Sequence, residues 1–311
     1  MTDLAELVEQ RFNEALASGN LLYFPGSISK KDVQGMQFEI TFVPSLAKKP
    51  VSKSDDNPVK AEKRNPFLPP DPALVVKELE EHRILLNKFS VVPHHILIVT
   101  KEFKDQGQPL YPADLYVTWE NMVAMGPAAL GFYNCGPNSG ASQPHKHIQI
   151  IPLHIKDGAQ PPITALYNEI NNPKPSEVYT LHKLPYVHAI MPLDTKFLEE
   201  KKDQQEAVME YLHQMYFGLL DAMFQQIREN TSQTKLSYNF IMTREYMFLV
   251  PRSKEIAVLE HDGQQVEHSI NCLGYAGMML AKTEQERAAI EQHPDLFALL
   301  ATAGIPWAPT E

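Results

Sequence analysis

The sequence of 311 residues predicts a mixed fold of strand pairs and amphipathic helices, and three observations lead to this prediction. Apolar residues recur at helical spacing over residues 4–16 and again over residues 205–227. Apolar runs of strand length come in pairs, within residues 84–100 and within residues 236–250. The 25 prolines indicate that long, structured connections join these elements.

The first half of the chain alternates between predicted helices and strands, with one long loop. The first helix ends at Gly19-Asn20, which is a helix-end signal. Residues 44–72 are rich in Pro, Lys and Asp and lack an apolar period, so we expect a long loop there. Proline is tolerated in the first turn of a helix, so Pro112 can open the second one. The predicted elements are helices at 4–16 and 112–123 and strands at 21–24, 36–43, 84–89, 95–100 and 130–135.

The second half begins with a proline-rich segment, residues 154–203, which has little periodicity and is expected to be an insertion. A strongly amphipathic helix follows, and its methionine-rich stripe is typical of a core-facing surface. The predicted elements are this helix at 205–227, a strand pair at 236–243 and 246–250, a turn at 269–277, and a helix that runs through Met278.

A weak internal repetition connects the two halves. A strand pair followed by an Asn/Gly-rich turn occurs at 84–100 with 134–140, and again at 236–250 with 271–277. Only the first copy contains a His-x-His sequence. The pattern indicates a duplicated unit in which one copy keeps the chemistry.

Composition narrows the classes of function. A net charge of −10 argues against bulk nucleic-acid binding, although a polyphosphate ligand is possible where basic residues gather locally. No secretory signal and no membrane span are visible in the sequence. The two cysteines, Cys135 and Cys272, do not form a Cys-x-x-Cys pair and suit a reducing interior, so we expect a cytoplasmic protein.

The run from Gly136 to Ile151 is the most informative part of the sequence. A glycine- and serine-rich loop leads into a predicted strand, in which His145, His147 and Gln149 share one exposed face because alternate residues point the same way. A neutral imidazole can attack phosphorus, while a carboxamide and backbone N–H groups can hold phosphoryl oxygens. The run therefore indicates a site that handles a phosphoryl group.

Two other interpretations stay open. His-x-His on a strand is also a zinc half-site, and a metal-dependent hydrolase would need a further ligand such as His94, His95 or His154. The in-phase glutamine and the Gly/Ser loop are not needed by a metal site, so we expect no tightly bound metal. Mg²⁺ could still accompany a polyphosphate substrate. A non-catalytic nucleotide-binding protein would keep the pocket without forming a covalent adduct.

At residues 145–151 the sequence resembles the histidine-triad motif, in the branch with glutamine at the third polar position. Residues 86–89 and 132–137 are similar to the diadenosine tetraphosphate phosphorylase family, also called ATP adenylyltransferase. Residues 237–240, 250–253 and 273–278 look like the C-terminal domain of that family. The resemblance implies an α+β fold with antiparallel sheets, related to the galactose-1-phosphate uridylyltransferases. It divides the chain into a catalytic domain, residues 1–203, and a C-terminal domain, residues 204–311.

The resemblance also implies an activity. Family members phosphorolyse diadenosine tetraphosphate with inorganic phosphate to ADP and ATP. Sulfate could replace phosphate as the acceptor, and the base preference, the metabolic direction and the oligomeric state (monomer or small homo-oligomer) stay open. Lys146 departs from the apolar residue that most histidine-triad proteins have between the two histidines.

The residue roles follow from the same resemblance. His147 is the expected nucleophile, Gln149 contacts the reacting phosphate, and the main chain of His145 is expected to fix the tautomer of His147. For the asparagines among the other positions, a turn role is an equal alternative. The expected nucleotide and phosphate contacts are Lys49, Asn87, Lys88, Asn134, Ser139, Gly140, Ala141, Ser142, Gln143, Asn271, Gly277, Met278 and Lys282.

Overall fold

The computed structural model describes residues 3–48, 65–153, 160–230 and 237–308, and it confirms an α+β fold built on an antiparallel sheet. The helices are α1 (Leu4–Ala17), α2 (Pro112–Ala124), α3 (Thr164–Tyr167), α4 (Thr195–Lys201), α5 (Gln205–Asn230), α6 (Cys272–Tyr275), α7 (Glu284–Gln292) and α8 (Leu296–Ala303). The strands are β1 (Leu22–Tyr23), β2 (Ser27–Val33), β3 (Met36–Phe42), β4 (Val75–Glu78), β5 (His82–Leu86), β6 (Phe89–Ser90), β7 (Ile96–Thr100), β8 (Ala129–Cys135), β9 (His147–Pro152), β10 (Ala189–Pro192), β11 (Tyr238–Met242), β12 (Tyr246–Pro251), β13 (Ile256–His261), β14 (Gln264–Ser269) and β15 (Met278–Ala281).

One eight-stranded sheet joins both halves of the chain. Its order is β10-β12-β11-β8-β9-β7-β5-β4, and every neighbouring pair is antiparallel. At its centre Asn134 of β8 lies opposite Asn239 of β11. Outward from this pair, β9 and β12 occupy equivalent places, and so do β7 and β10. This two-fold arrangement of strands is the one expected of the duplicated unit suggested by the sequence.

The two faces of the sheet have different covers. On one face α1, α2 and α5 pack against the sheet, and Ile148 and Ile150 of β9 lie in this core. Because side chains alternate in a strand, Gln149 and Ile151 point to the opposite face. There Ile151 packs with β3, β13, α6 and α8 in a second core. A small third cluster contains Phe67 with Leu97 and Val99.

The second half contradicts two predictions, and it adds the hairpin of β13 and β14, which the sequence did not predict. The helix expected through Met278 is wrong, because α6 is only one turn long and the chain continues as β15, which pairs in parallel with β3. Gly277, at φ +93°, ends that turn, and side-chain contacts with Met36 and Pro162 leave no room for a Cβ atom there. The segment expected to be an insertion contributes β10 to the central sheet.

Among the described residues, α5 is the longest helix, and no helix has the length and apolarity needed to cross a membrane. The first half matches the predicted elements closely and adds two strands that the sequence did not predict, β2 and β4. The side chains of β2 are largely exposed and polar, so its sequence carries no apolar signal, and pairing with β3 is what makes it a strand.

Lys146 anchors the strand of the two histidines on the face of the sheet opposite to them. Its side chain is 1% exposed, and its Nζ donates to Asp114 Oδ2 (2.5 Å) and to the carbonyl oxygen of Pro109 (2.7 Å). His82 Nε2 lies 2.7 Å from the other oxygen of Asp114. Burial acts to raise the pKa of Asp114, but the hydrogen bond from His82 and the Lys146 charge lower it overall, so the carboxylate is ionised. A buried ion pair therefore joins α2 to the residue between the two histidines.

We expect Asp114→Ala to lower the free energy of unfolding by about 3–5 kcal/mol, because it leaves the Lys146 ammonium buried without its counter-charge. Urea denaturation measures this loss. The matched control is Glu199→Ala, which breaks the exposed Glu199–Lys202 pair and should lower the free energy of unfolding far less, because solvent screens an exposed ion pair. Equal, small losses in both variants would show that the buried pair does not anchor the strand.

Candidate active site

His147 is held in one tautomer by the main chain. Its Nδ1 lies 2.8 Å from the carbonyl oxygen of His145, and a carbonyl oxygen only accepts, so Nδ1 carries the proton. Nε2 is left with a lone pair, and no described residue forms a hydrogen bond with it. Burial lowers the pKa of His147 from 6.5 to about 4, so the imidazole is neutral at pH 7. The predicted acceptor, the His145 main chain, is confirmed.

The expectation that the histidine face is exposed is wrong. His145 is fully buried, and His147 is 3% exposed. The ring of Phe67 lies over both histidines, with ring centroids 5.6 Å from His145 and 5.5 Å from His147. Phe67 belongs to the long loop predicted at 44–72, so part of this loop packs on the site.

The imidazole of His145 is fixed by hydrogen bonds at both ring nitrogens. Asn65 Nδ2 donates to its Nδ1 at 2.9 Å, and the orientation of that amide is set because Asn65 Oδ1 accepts from the N–H of Phe67. Its Nε2 donates to the carbonyl oxygens of Thr100 (2.9 Å) and Glu102 (3.1 Å). With both ring nitrogens of His145 bonded in this way, the residue contacts the imidazole of His147 through its carbonyl oxygen.

Gln149 is oriented by a chain of two further side chains. Asn87 Oδ1 accepts from the N–H of Phe89, so its Nδ2 faces Nδ1 of His95 at 3.0 Å. His95 therefore carries its proton on Nε2 and donates to Gln149 Oε1 at 3.1 Å. The amide Nε2 of Gln149 has no partner among the described residues and is available to donate to a ligand. Burial lowers the pKa of His95 to about 4, which keeps it neutral.

The predicted phosphate loop follows β8 directly. Gly136 and Gly140 have φ angles of +83° and +80°, and Ser139 is buried with its hydroxyl donating to the carbonyl oxygen of Gly136 (2.6 Å). In the described part of the chain, the backbone N–H groups of residues 140–143 have no acceptor. Such N–H groups suit an anion. Residues 141–144 line a cleft of about 340 Å³ together with residues 105–107.

Four further expected contacts lie in the first half, outside the loop. Lys49 falls outside the described residues. Lys88 is exposed, with its Nζ 4.0 Å from Asp71 Oδ2. The side chain of Asn87 holds His95, as described above. Asn134 is buried, and its Oδ1 accepts from Asn239 Nδ2 (2.7 Å) and from the N–H of Cys272 (2.9 Å). A direct nucleotide contact by any of them stays a prediction.

The remaining expected contacts lie around α6 and β15. Asn271 caps α6 by accepting from the N–H of Leu273, so the alternative turn role applies to it. Gly277 and Met278 join α6 to β15, and Met278 lines a large cleft of about 790 Å³. Lys282 follows β15 and is exposed, and its N–H donates to Glu286 Oε2. Of these four residues, Met278 is the one that lines a cleft. A direct nucleotide contact by any of the four stays a prediction.

Gln106 is a site residue that the sequence did not indicate. Its Oε1 accepts from the N–H of His147 (2.8 Å), and its Nε2 donates to the carbonyl oxygen of Asn134 (2.7 Å). The pairing of β8 with β9 ends at Phe132 and Gln149. Beyond that pair, the side-chain amide of Gln106 joins the two chain segments in place of direct backbone hydrogen bonds. A single glutamine in a polar loop carries no sequence pattern that would reveal this role.

His188 shows what distinguishes His147 from another buried histidine. It has the same local hydrogen bond, from Nδ1 to the carbonyl oxygen two residues earlier, Tyr186, at 2.7 Å. Its Nε2, however, accepts from the N–H of Leu181 at 2.7 Å. The lone pair of His188 is therefore occupied.

The histidines suggested as extra metal ligands do not gather around His145 and His147 in the part of the chain that is described. No group of three metal-ligating side chains occurs among those residues, and His154 lies outside them. His95 uses both ring nitrogens in the hydrogen bonds to Asn87 and Gln149. Independence from a bound metal stays a prediction.

Comparison with known proteins decides the family. A model of the Ap4A phosphorylase N-terminal domain matches residues 1–169, and a model of the ATP adenylyltransferase C-terminal domain matches residues 182–306. The chain belongs to the Ap4A phosphorylase family. The family resemblance stated from the sequence is therefore confirmed, while the division into residues 1–203 and 204–311 stays a prediction.

Relatives in the family match nearly the whole chain. Diadenosine 5′,5‴-P1,P4-tetraphosphate phosphorylase 2 of Saccharomyces cerevisiae is 34% identical, over 94% of this chain and 92% of its own. Protein APA1 of the same yeast is 29% identical, over 98% and 95%. The crystal structure of yeast Ap4A phosphorylase Apa2 in complex with Ap4A superposes with a TM-score of 0.79 and 30% identity, over 99% of both chains. Its complex with AMP gives a TM-score of 0.80 and 29% identity, over 100% of this chain and 99% of that one.

The buried histidines should make the protein sensitive to mild acid. Burial lowers the pKa of His95, His147 and His188 to about 4, whereas the unfolded chain takes up these protons near pH 6.5. Between these values the unfolded state binds more protons, so stability is fully present above pH 6.5 and declines as the pH falls toward 4. We expect the free energy of unfolding to fall by on the order of 3 kcal/mol per histidine as the pH drops from 6.5 to 4.

Urea denaturation between pH 7.5 and 4.5 measures this decline. The variant His188→Asn, which removes one of the three groups away from the site, should show a shallower dependence on pH than the wild type. A free energy of unfolding that stays constant between pH 7 and 4.5 would contradict the burial of neutral histidines.

Proposed function

We propose that this protein phosphorolyses diadenosine tetraphosphate with inorganic phosphate to ADP and ATP, through an adenylyl intermediate on His147. The observation that carries the proposal is the fixed neutral tautomer of His147, with Nε2 available for attack. Its setting in the Ap4A phosphorylase family, whose yeast member has been seen with Ap4A, supports the choice of substrate.

In the first step Nε2 of His147 attacks an α-phosphorus, and the bond from this phosphorus to the bridging oxygen breaks so that ATP leaves. Because Nε2 carries no proton in this tautomer, the attack needs no base. The imidazole becomes positively charged as the bond forms. Its Nδ1–H then donates more strongly to the His145 carbonyl oxygen, which stabilises the developing charge.

Hydrogen-bond donors that are already in place stabilise the negative charge on the phosphoryl oxygens. Gln149 Nε2 is turned toward the ligand side because His95 occupies Oε1. The N–H groups of Gly140, Ala141 and Ser142 are further donors on the adjoining loop. Preorganised donors of this kind are worth several kcal/mol in a water-poor site.

In the second step phosphate attacks the adenylyl-histidine, the P–N bond breaks, and ADP leaves with His147 restored. A carboxamide does not titrate near neutral pH, so Gln149 cannot deprotonate water. An anionic acceptor such as phosphate needs little deprotonation. The residue at position 149 therefore favours phosphorolysis over hydrolysis, and sulfate, which has a similar shape, is a second acceptor to be tested.

The large cleft suits the departing nucleotide. It has a volume of about 790 Å³ and is lined by Tyr23, Lys30, Val92, Leu153 and Met278, among others. Leu153 lies four residues after Gln149, which corresponds to about 13 Å along an extended chain. That spacing suits a polyphosphate that reaches from the reacting phosphorus to a base in the cleft.

Mixing the protein with diadenosine tetraphosphate in the absence of phosphate should give an adenylyl adduct that is acid-labile and base-stable, as expected of a phosphoramidate. Peptide mass spectrometry should place it on His147, and His147→Ala should lose both the adduct and turnover while its circular dichroism spectrum is kept. His188→Asn, which removes an equally buried histidine, should keep the adduct. An adduct on His145, or turnover in His147→Ala, would remove the mechanism.

Added phosphate should raise the rate of dinucleotide consumption and yield ADP plus ATP, with little AMP. The physical reason is that Gln149 offers hydrogen bonds but no general base for water. Product analysis by chromatography, with and without phosphate, measures this. Production of AMP plus ATP at an unchanged rate without phosphate would show that the enzyme is a hydrolase.

A further inference from the structure

Arg252 is the largest fully buried side chain in the described part of the protein, and it reaches the phosphate loop of the other half. It directly follows β12. When Asn239 of β11 is taken as the counterpart of Asn134 of β8, the pairing of β12 with β11 gives Arg252 the place that Gln149 has beside β8. Its guanidinium donates to the carbonyl oxygens of Ala303 (3.2 Å), Lys254 (2.9 Å), Glu255 (3.3 Å) and Ser139 (3.4 Å), and to Asn239 Oδ1.

Arg252 determines the orientation of the Asn239 amide. A guanidinium has donors only, so the oxygen of Asn239 must face it and the amide nitrogen must face the other way. That nitrogen donates to the carbonyl oxygen of Ser139 (2.9 Å) and to Asn134 Oδ1 (2.7 Å). Two donors from the second half thus converge on one carbonyl oxygen of the loop.

This convergence fixes one peptide plane. The Ser139–Gly140 peptide bond is trans, so its C=O and N–H groups point in opposite directions. With the carbonyl oxygen of Ser139 held by Asn239 and Arg252, the N–H of Gly140 is directed away from them. Among the described residues this N–H has no acceptor, and it begins the run of free N–H groups that extends to Gln143.

The loop around Gly140 also packs tightly against residues of the second half. A Cβ atom on Gly140 would lie 2.8 Å from the carbonyl oxygen of Ile270 and 2.9 Å from Cβ of Asn271, so only glycine fits. Asn138 adds two hydrogen bonds, its N–H to Ser237 Oγ (3.1 Å) and its Nδ2 to the carbonyl oxygen of Ser253 (2.8 Å). These contacts leave the loop little freedom to turn its N–H groups inward.

We propose that Asn239 and Arg252 are positioning residues for nucleotidyl transfer, which hold the phosphate loop with the Gly140 N–H turned toward the substrate. The inference rests on the proposed function, because the loop serves the reacting phosphate there. The second half, which lacks a His-x-His sequence, then contributes to the chemistry by fixing a donor of the first half.

The direct test is Asn239→Asp, which keeps the size of the side chain and its contact with Arg252 but removes both donors. The new carboxylate oxygen would face the Ser139 carbonyl oxygen and repel it. We expect the rate of adenylyl-His147 formation, measured by rapid quench without phosphate, to fall on the order of 100-fold. The KM for diadenosine tetraphosphate should change little, because the donor acts on charge that develops in the transition state.

Two companion variants separate positioning from general destabilisation. Arg252→Lys keeps the positive charge but loses the planar guanidinium, and it should slow the same step on the order of tenfold. Combined with Asn239→Asp, the two losses should not multiply, since Arg252 orients Asn239 and both residues hold the same carbonyl oxygen, that of Ser139. Tyr211→Phe is the control, because it removes a hydrogen bond, from the N–H of Asp194, without touching the loop or the large cleft. It should leave the rate of adduct formation unchanged.

The outcomes are distinct. If the wild-type protein forms no adduct on His147, the proposed function fails, whatever the variants do. If the wild type forms the adduct and folded Asn239→Asp forms it at the same rate, the positioning role is overturned. Should Asn239→Asp not fold, Arg252→Lys decides by the same criterion, and an unchanged rate in it overturns the role.

Discussion

The hydrogen bond from Nδ1 of His147 to the carbonyl oxygen of His145 is the contact on which the proposed chemistry of this protein depends. It determines which nitrogen carries the proton, and it leaves the other with the lone pair that the proposed attack requires. The bond requires a rigid carbonyl group, and the imidazole of His145 supplies that rigidity through its hydrogen bonds to Asn65, Thr100 and Glu102. A residue of the motif thus acts through its main chain, while its side chain maintains the geometry.

The surrounding fold holds the histidine strand from several sides. The Lys146–Asp114 pair joins it to α2 behind the sheet, and Gln106 bridges it to β8 at its start. The second half of the chain supports the loop through Asn239 and Arg252. A continuous sheet makes this possible, because β8 and β11 are direct neighbours and carry the loop and its support side by side.

The sequence predicted those parts of the site that depend on local geometry. The period of two in a strand aligned His147 with Gln149, and the carbonyl group two residues earlier was the natural acceptor for Nδ1. The packing of Phe67 on the histidine rings and the hydrogen bond from His147 to Gln106 could not be predicted, because these partners lie some 40 to 80 residues apart in sequence. The strand at Met278 was missed for the same reason, since its pairing partner β3 belongs to the other end of the chain.

The protonation state of His147 tests the central claim most directly. Two-bond ¹H–¹⁵N spectra of the protein labelled with ¹⁵N-histidine, with the His147 signals assigned by their loss in His147→Ala, report the proton on each ring nitrogen. We expect a protonated Nδ1 and an unprotonated Nε2 at pH 7, with no change down to about pH 5, because burial lowers the pKa to about 4. An imidazolium at pH 7, or a proton on Nε2 of the neutral ring, would contradict the proposed attack.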